Sequence, residues 1–360
     1  MKYIDEFRDR KLIDKLALRI RRSVAGGHKY KFMEVCGTHT MAIFRFSLRD
    51  LLPENIKLIS GPGCPVCVTP NDYLDRAIAI AKLPNVIIAT FGDMLRVPGS
   101  KSNLEKEKAG GRAIKTVYST DDALEVARRN PAKEIVFLGV GFETTSPTVA
   151  ASIITAKREG INNYSVLSAH KTMPEVLEEL VKDRSIQVDG FLLPGHVSAV
   201  IGSRPYEFLA KRYGIRSVVA GFEPTDILEA ILMLIEQKDP KVEIQYKRFI
   251  RAGGNPAARK ITEKVFEQSS SIWRGIGLVA SSGLKIRRAY SRFDASVRFN
   301  IKVVPAREKK GCICGQVLKG IKAPPECGLF GRSCNPENPV GACMVSSEGT
   351  CAAYYKYGKR

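Results

Sequence analysis

Cys36 and His39 are the first residues whose types and spacing suit chemistry. They lie three residues apart in the segment Cys-Gly-Thr-His. A nearby imidazole can lower the pKa of a thiol or join the sulfur as a metal ligand, so the pair is a candidate thiolate site. The alternative interpretation is an inert, buried Cys36 with His39 capping a helix.

Cys64 and Cys67 form a Cys-x-x-Cys motif between an apolar run and a helical segment. This position is typical of a redox-active dithiol, because a helix amino terminus stabilises one thiolate and the pair can cycle through a disulfide. Half of a zinc knuckle is the alternative, but it requires a second Cys or His pair at a zinc-like interval, and none follows. The motif therefore favours redox chemistry or iron binding.

The last part of the chain holds six cysteines within 40 residues, among many glycines and prolines. So short and loop-rich a segment buries little core and usually needs a metal or a covalent link to hold it. Four thiolates in such a segment suit a cubane iron–sulfur cluster better than zinc, although their spacing matches neither a ferredoxin run nor a zinc ribbon. The four candidate ligands are Cys327, Cys334, Cys343 and Cys351.

Cys312 and Cys314 precede these four, in the segment Cys-Ile-Cys-Gly-Gln-Val-Leu. We predict a strand here, in which residues two apart share a face. Both thiols would then either substitute as cluster ligands or pack in the interior.

Apolar runs that alternate with helical segments must position these side chains. Such alternation predicts βαβ units and a largely parallel sheet. The predicted strands are Lys31–Val35, Ile56–Ser60, Asn85–Thr90, Glu134–Val140, Gly190–Leu193 and Arg216–Ala220. The predicted helices are Pro70–Lys82, Ser119–Arg129, Thr145–Glu159, Pro174–Val181, Arg204–Tyr213 and Thr225–Gln237.

The predicted fold class is α/β, with two parallel-sheet α/β domains facing a cleft and a small cysteine-rich iron–sulfur domain after them. Composition breaks place the boundaries near residues 130 and 240. Residues 1–130 would carry Cys36 and the Cys64/Cys67 pair. Residues 131–240 would form the second α/β domain, and residues 241–360 would hold the 4Fe–4S cluster.

Residues suited to chemistry follow the predicted strands directly. In open parallel sheets the loops at the carboxyl ends of the strands line the ligand crevice. We therefore predict that thiols, imidazoles and carboxylates line the cleft between the two domains. The residues in these positions are Cys36, His39, Cys64, Cys67, Asp93, Glu143, His196, Glu223 and Asp226.

Composition indicates a folded protein with a strongly basic surface. The 360 residues include 57 Lys and Arg against 37 Asp and Glu, which gives a formal charge of +20. No nucleic-acid-binding motif accompanies this charge, so anionic small molecules or acidic proteins are the expected partners. No apolar stretch approaches the ~18–20 residues of a membrane span, and the first residues lack the apolar region of a secretory signal. We expect a cytoplasmic protein with reduced thiols.

Six segments resemble motifs of the HypD family of nickel–iron hydrogenase maturation proteins. The resemblance runs from about residue 30 to the end of the chain. The segments are Cys-Gly-Thr-His-Thr at 36–40, Gly-Pro-Gly-Cys-Pro-Val-Cys at 61–67, Phe-Gly-Asp-Met-Leu-Arg-Val-Pro-Gly at 91–99, Gly-Phe-Glu-Thr-Thr-Ser-Pro at 141–147, Leu-Pro-Gly-His-Val-Ser at 193–198 and Pro-Val-Gly-Ala-Cys-Met-Val-Ser-Ser-Glu-Gly-Thr-Cys at 339–351.

The resemblance implies a scaffold on which Fe(II) transiently binds two cyanides and one carbon monoxide before transfer to the hydrogenase large subunit. It also implies the partners HypC, a small chaperone, and HypE, a cyanide donor. Cys36 would ligate the iron together with a HypC cysteine, with support from His39. Cys64 and Cys67 would exchange electrons with a 4Fe–4S cluster, whose ligands are expected among the tail cysteines.

This role is assembly with redox and ligand-transfer chemistry rather than ordinary enzymatic turnover. A stand-alone iron–sulfur oxidoreductase or dehydratase that acts on a small metabolite is the alternative.

Overall fold

The computed structural model describes residues 5–304 and 309–358. Within these ranges the strands are β1 (Tyr30–Glu34), β2 (Ile56–Ser60), β3 (Val86–Thr90), β4 (Ile114–Thr116), β5 (Glu134–Gly139), β6 (Tyr164–Ser168), β7 (Gly190–Pro194), β8 (Arg216–Ala220), β9 (Val242–Ile244), β10 (Phe266–Trp273) and β11 (Gly277–Ile286).

The α-helices in the same ranges are α1 (Arg10–Ser23), α2 (Gly37–Arg45), α3 (Leu48–Leu51), α4 (Pro65–Val68), α5 (Asn71–Ala81), α6 (Leu104–Ala109), α7 (Thr120–Arg129), α8 (Ser146–Glu159), α9 (Met173–Lys182), α10 (Gly195–Ile201), α11 (Glu207–Tyr213), α12 (Pro224–Glu236), α13 (Pro256–Val265), α14 (Ala295–Phe299), α15 (Cys314–Leu318) and α16 (Thr350–Tyr357). Short 3-10 helices cover Asp5–Arg8, Gly92–Arg96, Arg204–Tyr206, Arg288–Phe293, Pro324–Glu326 and Ala342–Met344.

Two parallel sheets organise the molecule, which confirms the predicted α/β class. The first sheet has the strand order β2-β1-β7-β8-β9, and the second has the order β4-β3-β5-β6. All of these strands pair in parallel. Strands buried on both faces are nearly continuous apolar runs, which is why the sequence revealed most of them.

The strand pairing differs from the predicted division near residues 130 and 240. Strands β3 and β5 lie on opposite sides of residue 130 and yet pair in the second sheet. In the first sheet, β7 returns to pair with β1, and β9 extends the sheet beyond residue 240. Parallel strands are joined by long crossovers, so the chain can leave one sheet, build another and come back. The two sheets are therefore interleaved along the sequence.

A continuous central core fills the space between the two sheets. It contains Val35 and Leu193 from the ends of the first sheet's strands together with Leu138 from the second. Two further cores lie on the outer faces of the sheets, under α1 and α12 on the first and under α7 and α8 on the second. Cys64 and Cys67 belong to the central core, and Cys36, which directly follows Val35 in the sequence, is also buried.

The cysteine-rich tail does not form a core of its own. Cys314 and Cys343 belong to the central core, and Cys312 and Cys351 pack against it. The last helix, α16, lies against α2, with the rings of Phe44 and Tyr354 centred 4.2 Å apart.

The prediction of a strand at Cys312 and Cys314 is wrong, since Cys314 begins the short helix α15. The antiparallel hairpin of β10 and β11 sets this backbone, because a Cβ at Gly315 would lie 2.9 Å from the Cα of Gly275 at the hairpin turn. Local apolar alternation in so short a segment could not reveal that contact. None of the described helices is long and apolar enough to cross a membrane.

Candidate functional site

Cys36 is a buried free thiol at the carboxyl end of β1. It is 7% exposed and occupies the cap position before α2. Burial raises its pKa to about 12, and the nearby charge of Glu348 acts in the same direction. The backbone N–H groups of His39 and Thr38 favour the thiolate but do not outweigh burial. Cys36 is therefore protonated at neutral pH unless a cation replaces its proton.

The Cys64/Cys67 motif lies directly beside Cys36. The two cysteines form a disulfide across the first turn of α4, with Cα atoms 5.2 Å apart. Gly63 accepts a hydrogen bond from the N–H of Gly37, and a Cβ at Gly63 would lie 2.3 Å from the backbone nitrogen of Cys36. Only glycine allows this approach, so the sequence brings the two thiol-bearing loops together through Gly63.

His39 is completely buried and faces the end of β8. Its Nε2 donates to the carbonyl of Gly221 at 2.9 Å, and Nδ1 has no partner among the described residues. Burial lowers its pKa to about 4, so the ring is neutral. The ring packs on Phe222, and His196 stacks on the same phenylalanine at 4.0 Å. The two predicted imidazoles thus share one aromatic platform, with His39 inside and His196 exposed.

The tail contacts the amino end of α2 and the 3-10 helix Gly92–Arg96 through two polar contacts that the sequence analysis missed. Glu348 accepts a hydrogen bond from the hydroxyl of Thr38, and Ser346 donates to Asp93 at 3.0 Å. Burial raises the pKa of Glu348. These residues lie between the last two cysteines in the segment Val-Ser-Ser-Glu-Gly-Thr, whose polar character in a cysteine-rich tail was the available signal.

Glu143 is a buried carboxyl group that follows β5. One carboxyl oxygen accepts the N–H of Met173 at 2.8 Å, and the other is buried with no partner in the described ranges. Burial raises the pKa of Glu143 to about 8, so the carboxyl group is largely protonated at neutral pH. It lines a cavity of about 470 Å³ between segments from both sheets, and no predicted thiol or imidazole is among the described residues of that lining.

Glu223 and Asp226, which also follow a strand, have structural partners. Glu223 forms an ion pair with Arg8 near the start of the described chain. Asp226 is fully buried and binds Arg248 through two hydrogen bonds. Both residues also cap the start of α12.

All six tail cysteines line one small cavity. The sulfur atoms of Cys314 and Cys343 lie 3.0 Å apart. Hydrogen bonds from Cys312 and Cys343 hold the pKa of Cys314 below its ordinary value. The residues that form the wall include Cys312, Cys314, Cys327, Cys334, Cys343 and Cys351.

The donor set of this cavity fits an iron–sulfur cluster in kind. Within residues 5–304 and 309–358, no group of three or more His, Cys, Asp or Glu side chains is arranged to hold a metal ion. A cubane does not require such an arrangement, because each of its four thiolates ligates a different iron atom. Soft sulfur donors around one apolar cavity match that cofactor better than a hard cation.

The dithiol and the tail are neighbours. Helix α4, which carries Cys67, packs against the 3-10 helix Ala342–Met344, which carries Cys343. The fold thus brings together Cys36, Cys64, Cys67 and the tail cysteines on one side of the central core. Glu143 and His196 follow other strands and are not among the described residues that line the cysteine cavity.

Comparisons with known proteins agree with this arrangement. The family model HypD, described as "Hydrogenase formation hypA family", matches residues 11–358. The hydrogenase maturation factor HypD of Cupriavidus necator is 45% identical over 370 residues, which cover 100% of this chain and 98% of that protein.

The corresponding factor of Azotobacter vinelandii is 46% identical, with coverage of 100% of this chain and 98% of its own. A putative hydrogenase expression/formation protein of Methanocaldococcus jannaschii is 43% identical and covers 97% and 98% of the two chains. A match of this length and identity shows that the chain belongs to the HypD family of hydrogenase maturation factors.

Proposed function

We propose that this chain is the scaffold on which Fe(II) acquires two cyanides and one carbon monoxide before transfer to a nickel–iron hydrogenase large subunit. HypC and HypE are its proposed partners, the first as a co-ligand of the iron and the second as the cyanide donor. The observation that carries the proposal is the contact between a buried free thiol, Cys36, and the loop of the Cys64–Cys67 disulfide.

Cys36 suits the binding of a guest iron ion that must later leave. Low-spin iron with cyanide and carbonyl ligands prefers soft thiolate support, and one protein thiolate holds it less firmly than a full ligand set. Because burial raises the pKa of Cys36 to about 12, iron binding must displace a proton. The neutral ring of His39 adds no charge to the neighbourhood and orients the end of β8 against α2.

The Cys64–Cys67 disulfide suits the electron supply. Reduction of the disulfide consumes two electrons and two protons and yields two thiols, and reoxidation of these thiols would deliver two electrons for the release of cyanide from its carrier thiocyanate. A 4Fe–4S cluster in the tail would supply electrons one at a time. Cys327, Cys334, Cys343 and Cys351 would hold it, with Cys312 and Cys314 in the same wall. The packing of α4 on Ala342–Met344 supports a short path between the two redox groups.

The basic surface supports the proposed protein partners. A formal charge of +20 attracts acidic proteins and anionic ligands from a distance. Such attraction is screened over ~8–10 Å at physiological ionic strength, so partner binding should weaken as salt is raised.

Infrared spectroscopy of the anaerobic complex with HypC and HypE tests the proposal. Wild-type protein should show bands of iron-bound cyanide and carbon monoxide. Cys36→Ser should lose these bands while it retains the iron and sulfide of the tail cluster and a wild-type circular dichroism spectrum. Cys64→Ala and Cys67→Ala should stay folded but fail to mature hydrogenase.

Unchanged bands in Cys36→Ser would refute the role of this thiol. Full maturation by Cys64→Ala or Cys67→Ala would remove the redox role of the pair. Steady turnover of a small metabolite by the chain alone would support a stand-alone oxidoreductase or dehydratase instead.

A further inference from the structure

Arg274 is a buried cation at the turn between β10 and β11. The residue is 6% exposed. Its backbone N–H donates to the carbonyl of Val68, and its Nε donates to the carbonyl of Thr69, each at 2.8 Å. Val68 and Thr69 follow Cys67 at the end of α4. Arg274 is therefore fixed to the segment that carries the dithiol.

The far end of the same side chain carries an unsatisfied hydrogen-bond donor. Its Nη2 is buried and has no hydrogen-bond partner in the part of the chain that the structure describes. Arg274 lines a second small cavity together with Cys312, Cys314 and Gly341. These three residues also line the cysteine cavity, so the guanidinium lies behind their shared wall.

The Nη2 group of Arg274 has no hydrogen-bonded anion among the described residues. None of the described carboxylates lines the second cavity, where Lys309 adds a further positive charge. An arginine cannot lose its proton in a protein. A buried charge without a partner is strongly unfavourable, so the site is built for an anion on the cysteine side of the wall.

Two glycines, Gly275 and Gly315, allow the hairpin turn that carries Arg274 to approach the cysteine-rich tail closely. Gly275, next to Arg274, has a φ of +74°, and a Cβ there would lie 2.3 Å from the Cα of Gly315. The hairpin turn is thus pressed against the residue that follows Cys314. This contact holds Arg274 between the dithiol segment and the cysteine cavity.

We propose that Arg274 is the counter-charge of the tail cluster and a positioning residue between that cluster and the Cys64–Cys67 pair. The inference rests on the proposed function, in which the tail thiolates hold a 4Fe–4S cluster. Such a cluster with four thiolates carries net negative charge, which increases when it accepts an electron. A fixed cation nearby stabilises the reduced state more than the oxidised state and so raises the reduction potential.

A redox titration followed by electron paramagnetic resonance tests the inference on the full-length, anaerobically reconstituted protein. Arg274→Lys and Arg274→Gln both keep a hydrogen-bond donor, but only lysine keeps the charge. Gln should make one-electron reduction of the cluster at least tenfold less favourable, a fall of about 59 mV, while Lys should stay closer to wild type. Arg287→Gln is the matched control, since Arg287 lies at the other end of the hairpin and binds the carbonyls of Glu263 and Phe266.

A second variant decides the question if the Arg274 variants lose the cluster. Asn71 lines the same second cavity, and its Oδ1 is buried without a partner among the described residues. Asn71→Asp keeps the side-chain shape and adds a negative charge beside Arg274. It should lower the potential in the same direction as Arg274→Gln.

Two results separate the inference from the proposed function. Wild-type protein without iron and sulfide after reconstitution would overturn the cluster and this inference with it. If wild type holds a cluster and Arg274→Gln leaves its reduction potential unchanged, the inference alone is overturned. If the Arg274 variants bind no cluster, an unchanged potential in Asn71→Asp has the same consequence.

Discussion

Gly63→Ala tests the contact between the Cys36 loop and the Cys64 loop, on which the proposed function depends. A Cβ at residue 63 would lie 2.3 Å from the backbone nitrogen of Cys36 and 2.4 Å from its Cα. Both are backbone atoms, so a side-chain rotation cannot relieve the clash. Restoring an ordinary contact of 3.4 Å requires the two loops to separate by about 1.1 Å.

Gly63→Ala should reduce stability moderately and hydrogenase maturation strongly. Overpacking of this kind lowers the free energy of unfolding by about 1–3 kcal/mol. A displacement near 1 Å between reacting groups costs about 100-fold in rate, so hydrogenase maturation should fall far more than stability does. Thermal unfolding measures the first effect, and the yield of mature hydrogenase measured with HypC and HypE reports the second.

Gly26→Ala is the matched control for this experiment. A Cβ at Gly26 would have no atom within 4 Å, and the residue does not adopt a positive φ. This variant should be as stable as wild type or slightly more stable, because alanine restricts the unfolded chain. If Gly63→Ala matched Gly26→Ala in both assays, the contact between the Cys36 and Cys64 loops would be refuted.

Three further changes have defined outcomes. Glu348→Gln should lower the pKa of Cys36 and so increase its alkylation rate at pH 9, since the charge of Glu348 helps to raise that pKa. Arg248→Met should destabilise the protein by about 3–5 kcal/mol in thermal or urea unfolding, because it leaves the fully buried Asp226 without its partner. Glu143→Gln should become more stable relative to wild type as pH rises from about 4.5 to about 8, because over this range the carboxyl group of wild type loses its proton in the unfolded state but keeps it in the folded state, which favours unfolding.

Controls separate these effects from general damage. Glu348→Asp keeps the charge and should leave the alkylation of Cys36 slow. Arg19→Met removes an exposed pair with Glu236 and should change stability by no more than about 1 kcal/mol. A stability difference between Glu143→Gln and wild type that stayed constant from pH 4.5 to 8 would contradict the burial of an ionisable Glu143.

The local sequence identified six of the eleven described strands and the chemical types at their ends, but not the hairpin of β10 and β11. Six apolar runs were predicted as strands, and each contains or overlaps a strand of the structure, from β1 to β8. Strands β4 and β9 were missed because three residues give no periodic pattern, and β6 because its five residues include two serines and a tyrosine. The thiols of Cys36, Cys64 and Cys67 were identified because parallel sheets place function at the carboxyl ends of strands.

Tertiary structure alone decided which of these residues meet. The return of β7 to β1 interleaves the two sheets, and no local pattern encodes the partner of a parallel strand. Burial then assigned the protonation states, so that Glu143 and His39 are neutral because the surrounding protein removes water from them. Arg274 is the clearest example of a residue whose environment the sequence could not predict. In the sequence it is one of 57 Lys and Arg residues. Its guanidinium, whose Nη2 has no partner in the described ranges, lies behind the cysteines because a distant hairpin packs between the dithiol segment and the tail.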